Sequence, residues 1–128
     1  MKEKSCGIII EKDNKVLMVK QKNNIYSFPK GHTKKNETEK ETAIRETKEE
    51  TNIDAIIISD KKYKVFYKTK KGKDKEVVYF IGKPKNNSIK PQEGEIEDAF
   101  WIDKEKVENL LQYENIKKMW NKIKKELS

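Results

Sequence analysis

Three carboxylates crowd one short stretch of this chain: Glu46, Glu49 and Glu50, in the run Arg45-Glu-Thr-Lys-Glu-Glu50. On a helix advancing about 100° per residue, Glu46 and Glu50 lie about 40° apart, and Glu49 about 60° to the other side of Glu46. Like charges so close repel and weaken a helix. A divalent cation reverses that penalty, and hard oxygen donors at this density suit Mg²⁺ or Mn²⁺, with waters and substrate phosphates completing the shell. Arg45, four residues before Glu49, can hold it by a charge-assisted fork. Glu37 precedes the helix and can join at its N-terminal end, and Gly31 lets the backbone turn close to the site. Glu-rich helices are also common on solvated surfaces, so the carboxylates alone do not establish a site.

The rest of the composition narrows the setting. The 128 residues have the length of one domain, taken as 1–128. Charged residues make up 41 % and apolar ones 34 %, but the charges nearly balance and the apolar residues cluster as strands do, so a folded protein is expected. No apolar run approaches the roughly 20 residues a membrane span needs. The start, Met1-Lys-Glu-Lys4, leads into only a short apolar run, so no secretory signal is expected. One cysteine, Cys6, cannot form an internal disulfide, and a cytoplasmic location follows as the default. A single Cys and a single His exclude a Cys/His zinc cage built by this chain alone. Cys6 lies in an apolar strand and reads as an inert buried thiol. The net charge of +8 favours anionic partners such as nucleotides or nucleic acid. Arg45 is the only arginine among 30 basic residues, which points to a position needing a planar bidentate fork. No obligate protein partner is inferred.

These side chains need elements to hold them. Residues 5–12 and 15–20 read as strands joined by Asp13-Asn14, a hairpin turn. Residues 25–28 form a short extended piece, and 29–36 a loop. Residues 38–51 read as a helix with Thr38 and Glu41 in a capping box and Asn52 as a left-handed terminator; Ala43, Ile44 and Thr47 form its less polar side. Strands are expected at 55–59, 63–69, 76–81 and 96–102, with a charged turn at 70–75 and a polar loop at 83–93. Asp103 is placed to cap a short helix over 104–111. Residues 114–127 carry Ile116, Met119, Trp120, Ile123 and Leu127 at helical spacing. Mixed strands with helices before and after predict an α/β fold, a sandwich around one sheet.

The spacing Gly31-x5-Glu37-x7-Arg45-Glu46-x-x-Glu49-Glu50-x-x-Ile53 resembles the Nudix box of hydrolases that cleave a nucleoside diphosphate linked to another group. Thr47 stands where that pattern usually has an aliphatic residue, and Asn52 where it usually has Gly. The resemblance implies an α/β/α sandwich around a mixed sheet. The flanks Ser27-Phe-Pro-Lys-Gly-His32 and Leu110-Leu-Gln-Tyr-Glu-Asn115 look like those of asymmetrical diadenosine tetraphosphate hydrolases. Enzymes acting on RNA 5′-triphosphate ends, on modified nucleoside triphosphates or on diphosphoinositol phosphates can look similar, as can a nucleotide or RNA binder that kept the fold.

The resemblance implies metal-assisted hydrolysis of a phosphoanhydride. Glu46, Glu49 and Glu50 would hold Mg²⁺ (or Mn²⁺) against a nucleoside polyphosphate, with Arg45 in the catalytic set and Glu46 or Glu49 as the base. A further acidic ligand is expected before Trp101, where Glu93, Glu95 and Glu97 compete and Glu95 is preferred. Lys30 and His32, beside Gly31, are expected to hold phosphates, with Lys75 a further candidate. Tyr79 and Tyr113 are candidates for stacking on a base, although core packing is the favoured reading of Tyr79. Trp101, Met119 and Trp120 read as core residues.

Overall fold

Every residue from Ser5 to Ile10 is buried. Only a central strand covered on both faces tolerates that. In a computed structural model that describes residues 3–127, this run is the heart of β1 (Glu3–Lys12). Met1 and Lys2, where the reading of no secretory signal begins, and Ser128 lie outside the described residues. The order continues with β2 (Lys15–Gln21), β3 (Tyr26–Ser27), β4 (Lys30–His32), α1 (Glu39–Thr51), β5 (Ala55–Ile57), β6 (Tyr63–Lys68), β7 (Asp74–Pro84) and β8 (Ile96–Asp103). A 3-10 turn (Lys104–Lys106), α2 (Val107–Leu110) and α3 (Glu114–Leu127) complete it. β1 runs parallel to β7 and antiparallel to β2 and β4, so the sheet is mixed. Its main path is β3-β2-β1-β7-β5, with β4 on β1, β6 on β7 and β8 on β2.

Strand alternation sorts the core into two layers. Cys6, Ile8 and Ile10 meet Val78 and Phe80 on one face, under Ala43 of α1 and Ile53. Ile9, Val77 and Tyr79 face the other way, under Met119, Trp120 and Ile123 of α3 and Val107 of α2. The fold is an α/β/α sandwich. Cys6 is buried, and its thiol is pushed up to about 11 chiefly by that burial, which fits an inert group. No described helix is long and apolar enough to cross a membrane.

Four local expectations need correction. Residues 30–32 are a strand, not loop, because Ser5, Cys6 and Gly7 supply an edge opposite His32, Gly31 and Lys30. Asp74 and Lys75 belong to β7, not to the preceding turn. Asp103 makes no side-chain cap. Ile44 is 39 % exposed, whereas Thr42, Ala43, Thr47 and Thr51 form the buried side of α1; the sheet takes the small side chains because they let the helix approach closely. The turn at Asp13-Asn14 is as expected, with φ of 53° and 64°, a geometry whose twist suits a two-residue hairpin.

Candidate active site

The carboxylate helix reaches the sheet at its β4 edge. Register puts Ser5 opposite His32 and Gly7 opposite Lys30, so these side chains share the face turned toward α3; Gly31, opposite Cys6, turns toward α1. There the missing Cβ of Gly31 leaves room for a carboxylate. A Cβ on it would overlap the Glu46 carboxylate, which lies directly over the strand. Acidic side chains arriving from α1 and basic ones from the opposite face thus meet round one strand edge.

They meet in a cavity of about 500 Å³ bordered by Glu46, Glu49, Glu50 and Glu95 together with Lys30, His32, Lys34 and Lys75. Arg45 organises the acidic side. Its Nε and Nη2 donate to the two oxygens of Glu37 at 2.6 and 2.9 Å, Nη1 donates to Glu46 at 3.0 Å and Glu49 at 2.9 Å, and Nη2 also donates to the His32 carbonyl at 3.0 Å. The fork expected on Glu49 therefore closes on Glu37. Glu37 does not join the carboxylate cavity: Arg45, the Thr42 hydroxyl and the Lys34 N–H take its oxygens. Arg45 and these hydrogen bonds hold the Glu37 carboxyl down to about 2. A depressed carboxylate contributes stability above its unfolded value of 4.5 and loses it as pH falls through about 2. Acid unfolding followed by circular dichroism is expected to show wild type losing stability between those values. Glu37→Gln should be less stable than wild type at neutral pH, with the gap closing toward pH 2. A gap that stays constant with pH would contradict the ion pair.

Glu50 is 8 % exposed, and burial pushes its carboxyl up to about 8. Its Oε1 accepts the Lys30 N–H at 3.2 Å. The Lys30 ammonium is pushed down by burial first and by Lys75 second. Lys75 is also lowered by burial. Glu95 comes from a polar loop stapled to the end of α1. Gln92 N–H donates to the Glu50 carbonyl at 3.1 Å, and Lys90 N–H to the Thr51 carbonyl at 2.9 Å. Asn52 adds a third tie: its φ of 66° ends the helix, and its amide donates to the Ser88 carbonyl at 2.9 Å. A glycine there would end the helix but make no such bond. Of the three acidic candidates, Glu95 borders the cavity and Glu93 does not. Glu97 is the extra residue of a bulge opposite Lys20/Gln21 and pairs with Lys20 at 3.3 Å.

Among the described residues no three acidic, His or Cys side chains form a ready-made metal cluster; one oxygen each of Glu46 and Glu49 accepts from Arg45, and one of Glu50 from the Lys30 N–H. The donor set nonetheless fits a hard cation. Glu46, Glu49 and Glu50 each spend one oxygen on these bonds, and no other described residue donates to the second. Glu50 in particular is held near neutrality by burial, a state that a cation would reverse.

A second cavity, also about 500 Å³ and more apolar, opens beside the first and shares Gln21 and Lys30 with it. Tyr26, Tyr67 and Tyr113 border it, with Tyr67 and Tyr113 36 % and 53 % exposed. Tyr79 is not there. It is 1 % exposed and packs edge-on against Phe28 at 5.6 Å, so it is removed from the substrate-contact set. Both tyrosines share one face of the sheet, so coverage makes the difference: Tyr79 lies in the middle of β7 under α3, while Tyr67 sits opposite Lys75 near the end of β6, where the helices no longer cover the sheet. Sequence reasoning missed Tyr67, Lys34 and Gln21. Tyr67 has the parity of Val65, a usable signal; Lys34 is one lysine among many, and nothing in the sequence marked Gln21.

The sequence profile of the NUDIX domain matches residues 1–122, and the chain belongs to the Nudix family of hydrolases. Over 130 aligned residues it is 29 % identical to the asymmetrical bis(5′-nucleosyl)-tetraphosphatase of Rattus norvegicus, covering 89 % of this chain and 88 % of that one. It also resembles the crystal structure of a C. elegans Ap4A hydrolase binary complex, with a TM-score of 0.87 and 28 % identity over 98 % of this chain and 97 % of that one. An ADP-ribose pyrophosphatase of Methanocaldococcus jannaschii is 47 % identical over 49 residues, 35 % of this chain and 29 % of that protein.

Proposed function

We propose that this protein hydrolyses a phosphoanhydride bond of a dinucleoside polyphosphate, with diadenosine tetraphosphate converted to ATP and AMP as the preferred reaction. The observation carrying this reading is the adjacency of two cavities, one acidic and basic, the other apolar and bordered by tyrosines, joined at Gln21 and Lys30. A nucleotide has the same division: phosphates in the first, base against Tyr67 and Tyr113 in the second, sugar between them. The similarity to tetraphosphatases over nearly the whole chain supports the same choice.

Glu46, Glu49 and Glu50, with Glu95 on the border of the same cavity, would hold Mg²⁺ (or Mn²⁺). Bound divalent ions neutralise phosphoryl charge and acidify a water. Lys30 and Lys75 supply positive charge to the phosphate chain, and His32 a ring N–H donor. Glu46 or Glu49 takes the proton of the attacking water, and Arg45 fixes both through one nitrogen. A cytoplasmic enzyme formed as one domain over 1–128 fits this role.

Triphosphorylated RNA is the second reading, supported by Lys68 and Lys70 on the border of the tyrosine cavity. A panel of diadenosine tetraphosphate, triphosphorylated RNA and oxidised nucleoside triphosphates, with Mg²⁺ and chromatographic product analysis, separates the two. ATP and AMP in equal amounts are expected from the dinucleotide. An intact dinucleotide beside trimmed RNA would replace the first reading with the second, and binding without turnover of any member would leave a nucleotide-binding domain.

A further inference from the structure

Three buried side-chain polar atoms have no hydrogen-bond partner among the described residues: Ser5 Oγ, Thr47 Oγ1 and Trp120 Nε1. An unmade bond at a buried hydroxyl is destabilising, so each needs a reason. Thr47 lies on the buried side of α1, and Trp120 projects from α3 into the core. Ser5 differs from both. It is 0 % exposed as a residue, yet it borders the carboxylate cavity.

Its direct cross-strand neighbours are His32 of β4 and Val77 of β7. Strand alternation and register put Ser5 on the same sheet face as Lys30 and His32 of β4 and Lys75 of β7. All four border the same cavity. The carboxylates reach it from the opposite side of the strand, past Gly31. The Ser5 hydroxyl thus shares a cavity-lining face with two lysines and His32, and it has no hydrogen-bond partner among the described residues.

We propose that Ser5 is a further substrate-binding residue, its Oγ donating a hydrogen bond to a non-bridging phosphoryl oxygen held by Lys30 and Lys75. The ligand class is a polyphosphate or diphosphate group, and the assignment rests on reading this cavity as the phosphate site. The hydroxyl transfers no proton and forms no bond to phosphorus; it orients the phosphate chain on the sheet side while the acidic side chains act from the helix side. The free protein carries an unpaired donor that substrate satisfies, so stability is given up in the free state and recovered on binding.

That trade-off separates a binding role from a structural one, because the two change in opposite directions. Ser5→Ala is expected to raise the melting temperature of the ligand-free protein by about 3 °C, since it removes an unpaired buried hydroxyl. The same variant is expected to bind methylenediphosphonate with Mg²⁺ about tenfold more weakly by calorimetry, since a bond to a charged oxygen is lost. This probe keeps the phosphoryl oxygens of pyrophosphate, but its carbon bridge cannot be hydrolysed. Ser5→Cys keeps a similar volume and a weak donor and should fall between the two proteins in affinity.

Equal affinity of wild type and Ser5→Ala for the diphosphonate would overturn the proposal, as would a clear fall in melting temperature, which would mean that the hydroxyl has a partner inside the protein. Failure of the functional reading shows itself elsewhere, as wild type that leaves diadenosine tetraphosphate intact while the diphosphonate titration still depends on Ser5.

Discussion

Glu50→Gln is expected to lower kcat by about three orders of magnitude while the protein melts at or above the wild-type temperature. The two halves have one cause. Glu50 is almost fully buried, and its carboxyl is pushed up to about 8 because burial penalises the charged form. Glutamine keeps an oxygen for the Lys30 N–H, which Glu50 accepts at 3.2 Å, and sheds the penalised charge. The fold therefore loses nothing. The amide cannot supply a full negative charge to a divalent ion, and transition-state stabilisation of several kcal/mol goes with it, about 10³-fold in rate. The checks are steady-state kinetics with Mg²⁺ and a thermal melt of each protein without it. Turnover within threefold of wild type would remove Glu50 from the ligand set, whereas a collapse of the melting temperature would make it a structural group.

Gly31→Ala is expected to cost about 10²-fold in kcat with the far-ultraviolet spectrum unchanged. The added Cβ falls on the Glu46 carboxylate, so that carboxylate must move. Only the end of a flexible side chain is displaced, which keeps the stability cost small. Displacement of a reacting group by about an ångström costs on the order of a hundredfold in rate. Because Arg45 Nη1 bridges Glu46 and Glu49, the shift is expected to loosen Glu49 as well. When Gly31→Ala is already present, Glu46→Asp shortens the side chain that clashes and should depress kcat less than it does alone, a coupling read from a double-mutant cycle. Additive effects would mean that Gly31 and Glu46 do not meet.

Much of this architecture was legible because it is written in local rules. The capping box at Thr38 and Glu41 forms as expected, with both reciprocal bonds present. Asn52 takes its left-handed cap, and the amphipathic stripe of α3 buries Met119, Trp120 and Ile123. These features need only a few consecutive residues and a helical period. The sole arginine proved to be a fork, as its scarcity implied, but on Glu37, since the partner of a side chain depends on where the chain folds back.

What the sequence determined by itself was the chemistry: one helix carrying Glu46, Glu49 and Glu50, with a glycine and a lone arginine at fixed distances, which is enough to place the chain among phosphoanhydride hydrolases. Tertiary structure decided which other side chains reach that chemistry. Pairing of β4 with β1 turned a supposed loop into an edge that sends Lys30 and His32 to one face and Gly31 to the other. Coverage by α3 took Tyr79 into the core and left Tyr67 at a cavity, although both are tyrosines on neighbouring strands. A single bulged residue, Glu97, turned aside and left Glu95 beside the cavity. Ionic and packing preferences act over a few residues and can be read along the chain; strand register and the reach of a covering helix join residues tens of positions apart and exist only once the sheet has formed.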